Sequence, residues 1–336
     1  MKKHRFSTSK ILVSLLLGVV MLFFLFTKVS LKETFSAISE IPFVFLLIAV
    51  IVGGVMQAGW IARWKLIVDK FGTVKFLKLV PIFLAGSLIN QLTPGSKSGG
   101  QPLRAYYLSK INKKSFSSNL ATALFDFLAG AFASTTLIIF AVVYLLLKFP
   151  ASGYSWIFVL LFASFLVVVI PIVLLHSLEK KSKFSIAVLR TLYLIPFIRK
   201  RFHSFQQFER NSFHWVIDFY NANIVFLKDW RLVFLQVCIE FWNYFLDFFK
   251  TYLLFLAIGE HVSFVVVAVI GIISQVAGFV FFTPGGIGII ESSSVGLYYL
   301  FGVNPEIAAA IAVINLLIKY FYEFGIGYLS FLYLQK

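Results

Sequence analysis

Four polar residues recur at helical spacing within a largely apolar run, residues 231–258. They are Glu240, Asn243, Asp247 and Lys250, which follow one another at intervals of three, four and three positions. On an α-helix this spacing places all four on one face. Because an ionisable group inside a membrane span costs about 3 kcal/mol, we expect the face to look into a helical bundle or a wet cavity. Alternatively, Asp247 and Lys250 form an ion pair that only locks helix to helix.

The last apolar run, residues 306–333, repeats this pattern with Asn315, Lys319 and Glu323 at intervals of four. Two further acids, Asp126 and Glu291, stand alone in apolar segments. Either could exchange protons, or serve as the counter-charge to Lys250 or Lys319. Asp126 and the seven residues of the two runs together predict an intramembrane polar face.

Two apolar stretches, 77–108 and 262–301, are interrupted near their middles. The interruptions read TPGSKSGGQP from Thr93 to Pro102 and TPGGIG from Thr283 to Gly288. Proline and glycine at this density stop a helix. Backbone groups left unpaired in hydrocarbon are costly, so each break must line a cavity or meet a partner, unless it is merely a helix kink.

Each break also starts a new helix. Pro102 and Pro284 suit the first turn, whose free N–H groups and positive dipole end attract anions such as phosphate. Lys97 and Arg104 would add positive charge beside the first of these ends. Arg104 could alternatively be an anchor at the level of the lipid headgroups.

The composition indicates what kind of protein positions these residues. Hydrophobic residues make up 60% of the chain and charged residues only 13%, which is too apolar for a soluble globule of 336 residues. The net charge of +16 is divided into short clusters between apolar runs, where anionic lipid headgroups are nearer partners than nucleic acid. Cys238 is the only cysteine, so the sequence predicts no internal disulfide and no zinc-type site. We expect no metal, no cofactor and no catalytic constellation.

Six runs are long enough to cross a bilayer, which takes about 20 apolar residues per helix. They are 11–27, 42–62, 118–147, 155–175, 231–258 and 306–333. The first follows a basic start but no small-residue cleavage pattern, so we interpret it as a retained span. The sequence therefore predicts an all-α, polytopic membrane helical bundle with about six full spans and two broken hairpins. We expect one transmembrane domain over residues 1–336.

Basic clusters orient these segments by the positive-inside rule. Arg63, Lys65, Lys70, Lys75 and Lys78 precede the first break, and Arg104, Lys110, Lys113 and Lys114 accompany or follow it. The basic segment 176–230 is predicted to be cytoplasmic and interfacial, as are both termini, in a multi-pass protein of the cell membrane. The second break has almost no basic flank, with Glu260 and His261 before it and Asn304 and Glu306 after it, and is predicted to enter from outside. Helix, broken hairpin and helix thus occur twice with opposed insertion, an inverted repeat of the kind found in transporters.

The stretches TPGSKSGGQPLRAYYLSK (93–110) and TPGGIGIIESSSVGLYYLFGV (283–303) resemble the lysylphosphatidylglycerol synthase transmembrane-region family, also called flippase-like. The resemblance covers most of the chain. It implies a module that binds and turns over lipids with charged headgroups, either aminoacylated phospholipids or polyprenyl-linked sugars. Gln101 stands where the family usually has an acidic residue. The resemblance implies that the substrate-binding residues are Pro94, Gly99, Gly100 and Arg104 in the first stretch and Pro284, Gly285, Gly286, Gly288 and Glu291 in the second. To these we add Lys97 and Gln101 of the first stretch.

Three functions are compatible with these features. The first is a flippase-like transporter of membrane lipids with anionic or phosphate-linked headgroups, whose partners could include lipid-biosynthetic enzymes. The second is a membrane-embedded lipid or glycolipid transferase with Glu240, Asp247 or Glu291 as general base. The third is a scaffold that anchors partners through residues 176–230. Because the chain is taken up by membrane segments, we expect no soluble synthase domain and no lipid aminoacylation.

Overall fold

The computed structural model describes residues 27, 29–93, 99–148, 204–280, 283 and 285–336, with isolated positions between 186 and 202. Throughout these ranges the chain forms helices and no strand, which confirms the predicted all-helical class. The predicted span 155–175 lies outside the described residues, as does all of the predicted span 11–27 except Thr27. So does most of the basic segment before residue 204.

Short connections join most consecutive helices. The helices are α1 (Leu31–Glu40), α2 (Phe43–Val68), α3 (Phe76–Leu92), α4 (Gly100–Asn112), α5 (Phe116–Lys148), α6 (Phe205–Lys228), α7 (Trp230–Ala257), α8 (Phe264–Val280), α9 (Ile289–Leu300), α10 (Pro305–Tyr320) and α11 (Gly327–Gln335). Residues 149–204, most of which lie outside the described ranges, separate α5 from α6. A 3₁₀ turn, Asp69–Phe71, extends α2. A π-helical segment, Phe321–Ile326, joins α10 to α11 without a break.

Among the described residues, four helical segments are long and apolar enough to cross a membrane. They are Phe43–Phe71, Phe116–Lys148, Trp230–Ala257 and Pro305–Gln335. Each contains or closely matches one of the predicted runs 42–62, 118–147, 231–258 and 306–333. Large apolar side chains such as Leu47 and Ile51 on α2 remain exposed on the outside of the bundle, as expected for a surface that faces lipid.

The two interrupted stretches each form a pair of short helices. Helices α3 and α4 flank the first break, and α8 and α9 flank the second. A long helix precedes each pair and another follows it, so the order of elements is the same in both halves: α2, α3, α4, α5 and then α7, α8, α9, α10. This order agrees with the predicted repeat, while the opposed insertion of the two halves remains a prediction.

Packing between the halves is centred on α2 and α7, which lie side by side. At their crossing, a Cβ atom on Gly59 would overlap the side-chain amide of Asn243, so the missing side chain sets the close approach of the two helices. Helix α11 packs along α3, and α9 packs against both α8 and α10. These contacts bring the first half of the chain against the second around one polar interior.

Helix α6 accounts for the carboxyl-terminal part of the predicted interfacial segment. Ser204 caps its start by accepting a hydrogen bond from the backbone N–H of Gln207 at 3.2 Å. Phe226 near its end is buried and packs against Phe125 of α5. Asp229 then caps α7, and hydrogen bonds from Lys70 and from backbone N–H groups hold the pKa of its carboxyl below the ordinary range.

Candidate functional site: a polar cavity between the two halves

A cavity of about 280 Å³ lies between α2, α7, α8, α9 and α10. Every residue of the two predicted polar faces lines it, together with Glu291 of α9; they are Glu240, Asn243, Asp247, Lys250, Asn315, Lys319, Glu323 and Glu291. The structure thus brings together two faces that lie about 70 residues apart in the sequence, because α7 and α10 both turn their polar sides inward.

The α7 side of the cavity holds an ion pair. Lys250 Nζ lies 2.7 Å from Asp247 Oδ1, and Gln275 of α8 donates to Asp247 Oδ2 at 3.3 Å. The predicted pair is therefore present, but it lies within one helix, and the link to the neighbouring helix comes from Gln275. Asn315 of α10 donates to Thr251 Oγ1 at 3.1 Å and ties the opposite wall to α7.

The second break, Thr283 to Gly288, lies beside the cavity, whose wall includes Ile290 and Glu291 just after it. Gly285, Gly286 and Gly288 have positive φ angles of 62°, 77° and 79°, a conformation that side chains other than glycine rarely adopt. The Gly285 carbonyl accepts a hydrogen bond at 2.9 Å from Nζ of Lys319, a residue of the cavity wall. Pro284 lies outside the described residues.

Glu291 of the cavity wall has a defined partner in the second break. Its Oε2 accepts a hydrogen bond from the backbone N–H of Gly288 at 2.7 Å, which is the glutamate half of a capping box. The sequence suggested the positive end of α9 as a binding place for phosphate. In the structure the carboxylate of Glu291 takes this position.

The first break contacts the second but does not line the cavity. A Cβ atom on Gly285 would overlap the side chain of Gln91, the penultimate residue of α3, so the two interrupted segments touch. Gly100 donates its N–H to Asn90 Oδ1 at 2.7 Å, which links the end of α3 to the start of α4. Gly100 and Gln101 are buried and Gly99 is half-buried at this start, away from the cavity wall. Pro94 and Lys97 lie outside the described residues.

A buried group of two arginines and two carboxylates lies beside the cavity. Arg63 Nε lies 2.8 Å from Asp126 Oδ1, Arg104 Nη2 lies 2.8 Å from Asp126 Oδ2, and Arg63 Nη1 also pairs with Glu240. Trp60 donates to Glu240 at 3.0 Å. The four charges come from α2, α4, α5 and α7 and cancel in sum.

This group corrects three interpretations of the sequence. Arg104 is only 4% exposed and stacks over the ring of Trp64, so it is not a headgroup-level anchor. Asp126 is the counter-charge of two arginines and not of Lys250 or Lys319. Arg63, which the sequence analysis counted among the flanking basic residues, is 5% exposed and belongs to the interior. The sequence carried one signal for this, because Trp60 lies three residues before Arg63 and therefore on the same side of the helix.

Four side chains on the cavity wall carry polar atoms without a hydrogen-bond partner among the described residues. They are Gln57 through Oε1, Asn243 through both amide atoms, Ser274 through its hydroxyl and Asn315 through Oδ1. Buried polar atoms are satisfied in the great majority of cases, and leaving one unpaired costs about 1–3 kcal/mol. Unpaired donors and acceptors that converge on one chamber indicate that the chamber accommodates polar groups from water or from a ligand.

The fold and this interior define a polytopic helical membrane protein with a polar cavity between two similar halves. Its sequence matches the model of the lysylphosphatidylglycerol synthase TM region over residues 11–327. The chain belongs to this family, as the two glycine-rich stretches suggested.

The chain is similar to several archaeal membrane proteins. It is 27% identical to a UPF0104 membrane protein of Methanothermobacter thermautotrophicus over 318 residues, which cover 94% of this chain and 93% of the relative. A UPF0104 membrane protein of Methanocaldococcus jannaschii is 24% identical over 82% of this chain and 80% of its own length. A third, from Pyrococcus horikoshii, is 23% identical over 91% of this chain and 92% of its own length.

Proposed function

We propose that this protein is a flippase-like lipid transporter, which binds a charged or phosphate-linked lipid headgroup in the polar cavity and exchanges it between leaflets. The observation that carries this proposal is the cavity, because ionisable and amide side chains on membrane-spanning helices converge on one chamber. Polar groups inside a span are costly and mark substrate or ion pathways when they face an interior space. A family named for a lipid synthase adds support.

The size of the cavity favours a headgroup over a whole lipid. Drug-sized ligands occupy pockets of about 300–1,000 Å³, and the cavity here measures about 280 Å³. A polar headgroup fits such a volume, whereas hydrocarbon chains have to remain in apolar surroundings. This division suits a transporter that moves only the headgroup through a polar interior.

The chemistry of the wall suits a headgroup that contains both phosphate and hydrogen-bond donors. Lys319 donates one of its three N–H groups to the neutral Gly285 carbonyl, so two N–H groups remain for phosphate oxygens. Asp247 and the unpaired amides of Gln57 and Asn243 can accept hydrogen bonds from hydroxyl or amino groups. Lys250 is held by Asp247 and contributes mainly to the charge balance.

The proposed setting is the cell membrane, with both termini in the cytoplasm. The exposed lysines that flank the first break, such as Lys75, Lys78 and Lys110, and the basic residues of segment 176–230 support this orientation. With this orientation the two breaks, which contact one another through Gln91 and Gly285, would enter from opposite faces of the bilayer. A site at such a meeting point can open alternately to either side.

The test is lipid exchange in vesicles that contain the purified protein and fluorescent phosphatidylglycerol, read by dithionite quenching of the outer leaflet. We expect Lys319→Met to slow exchange by about tenfold or more, because one charged hydrogen bond is worth about 1.5–3 kcal/mol. Lys148→Met, which removes an exposed lysine at the end of α5, should leave the rate unchanged.

Two results would contradict the proposal. Exchange by the wild-type protein no faster than in protein-free vesicles would refute transport. Equal rates for wild type and Lys319→Met would refute the role of Lys319. Mass spectrometry of the recovered lipid adds a third arm, since a transporter leaves the mass unchanged while a transferase alters it.

A further inference from the structure

An apolar groove lies beside the π segment, between it and the end of α3. Leu88 and Leu92 form one side, and Phe321, Phe324 and Leu329 form the other. Its floor is at Gly325, where a Cβ atom would meet nothing within 4 Å. The helices close below this point, because a Cβ on Gly327 would lie 2.9 Å from the carbonyl oxygen of Leu84.

The groove lies at a depth where the surrounding solvent is hydrocarbon. Leu88 and Leu92 are 12 and 16 residues from the start of α3 at Phe76, or about 18–24 Å along the helix. Phe321 follows the start of a 31-residue membrane span at Pro305 by a similar distance. The hydrocarbon core is about 30 Å thick, so the groove opens into its interior. The medium outside an apolar groove at this depth is the hydrocarbon of the lipid chains.

The same π turn separates this groove from the polar cavity. Tyr322 and Glu323 line the cavity, whereas Phe321 and Phe324 on either side of them line the groove. A helix is about 10 Å across. One leaflet of hydrocarbon chains fills about 15 Å of the bilayer, half of its apolar thickness, so a single chain is long enough to pass around the π turn.

We propose that this groove binds one hydrocarbon chain of the lipid whose headgroup occupies the polar cavity, an inference that rests on the proposed function. The cavity of about 280 Å³ holds the polar end of the molecule, and the groove holds its apolar end on the opposite side of residues 321–326. Because the chain comes from hydrocarbon and not from water, close packing against the groove and attachment to the bound headgroup hold it in place. The chemical class of the ligand is therefore a lipid with at least one long alkyl or prenyl chain.

Photo-crosslinking in lipid nanodiscs tests this groove independently of transport. The probe is phosphatidylglycerol with a diazirine near the end of one acyl chain, added at increasing mole fraction. We expect labelling of the α3 peptide that contains Leu88 and Leu92 to saturate at low mole fraction. Labelling of the exposed residues Leu47 and Ile51 on α2 should rise linearly, as for lipid that only surrounds the protein.

Two glycine substitutions provide a matched pair. Gly325→Phe fills the groove, whereas Gly296→Phe adds the same ring to an exposed position of α9 that also has open space. Because the ring at 325 occupies space that the chain would fill, and close-packed atoms cannot share it, we expect the saturable label on α3 to weaken by about tenfold. Gly296→Phe should leave it unchanged.

The outcomes separate the groove from the transport activity. A linear rise at both places, or equal α3 labelling in the wild type and Gly325→Phe, overturns the groove assignment even if lipid exchange is measured. Saturable, Gly325-sensitive labelling supports the groove. If such labelling occurs without any lipid exchange, the groove stands as a lipid site and the transport function falls.

Discussion

Substitution of Asp126 tests the buried charge group beside the cavity. Its carboxylate accepts hydrogen bonds from Arg63 Nε and Arg104 Nη2, both at 2.8 Å, and it is only 2% exposed. Asp126→Asn removes one negative charge and leaves two arginines facing Glu240 alone. An uncompensated buried charge costs about 3–5 kcal/mol, so we expect the free energy of unfolding to fall by that amount.

The double variant makes this reasoning quantitative. Arg104→Gln alone leaves an excess negative charge and should cost a similar amount, whereas Asp126→Asn with Arg104→Gln restores neutrality through Arg63 and Glu240. We therefore expect the double variant to be destabilised by less than the sum of the single variants, with a coupling of about 3 kcal/mol. The assay is equilibrium unfolding in mixed detergent micelles with increasing sodium dodecyl sulfate.

The matched control for this double-mutant cycle is the half-exposed ion pair of Asp69 and Lys65. Asp69→Asn removes a carboxylate that pairs with Lys65 one turn earlier at a half-exposed site, and it should cost less than about 1 kcal/mol. Single-variant costs that add within about 0.5 kcal/mol would mean that Asp126 and Arg104 act independently. That result would refute the charge group as one unit.

Two further variants test the second break and the start of α7. Gly285→Ala should destabilise the protein by about 1–3 kcal/mol in the same titration, because φ is 62° and the methyl group would overlap a packed side chain, whereas Gly325→Ala should be neutral within about 0.5 kcal/mol. Equal midpoints for both alanine variants would contradict the close contact. Asp229→Asn should lower the thermal midpoint near pH 7, where the carboxylate is ionised and bound to Lys70. Since the folded state lowers the pKa of this carboxyl, its contribution is present above the ordinary aspartate pKa and is lost as pH falls through the lowered value, so the two proteins should converge in acid.

The sequence predicted those features that a single segment encodes. Apolar runs of sufficient length gave four of the spans, because crossing a bilayer imposes a minimum length on any helix. The spacing of Glu240, Asn243, Asp247 and Lys250 gave the polar face of α7, because helical periodicity is a local property. Proline and glycine residues predicted both helix interruptions, because their effect on the backbone is also local.

Pairings between distant helices could not be predicted in this way. Periodicity says which side of a helix is polar but not which other helix it meets, so Arg63 and Asp126, 63 residues apart, gave no shared signal. Arg104 was placed with the ligand because it follows a glycine-rich break, yet its charge is balanced by Asp126. Glu291 was also placed with the ligand, but here the sequence does carry a sign of the structural role. A glutamate three residues after the N-cap of a helix indicates a capping box.

The balanced arginines and carboxylates also constrain how the chain can be assembled. Arg63 emerges from the ribosome 177 residues before Glu240, a delay of about 10–30 s at ordinary rates of synthesis. During that interval Arg63 of α2 cannot be neutralised in hydrocarbon by both Asp126 and Glu240. Until α7 has been synthesised, Arg63 of the nascent helix must stay hydrated at the insertion machinery or pair with Asp126 alone.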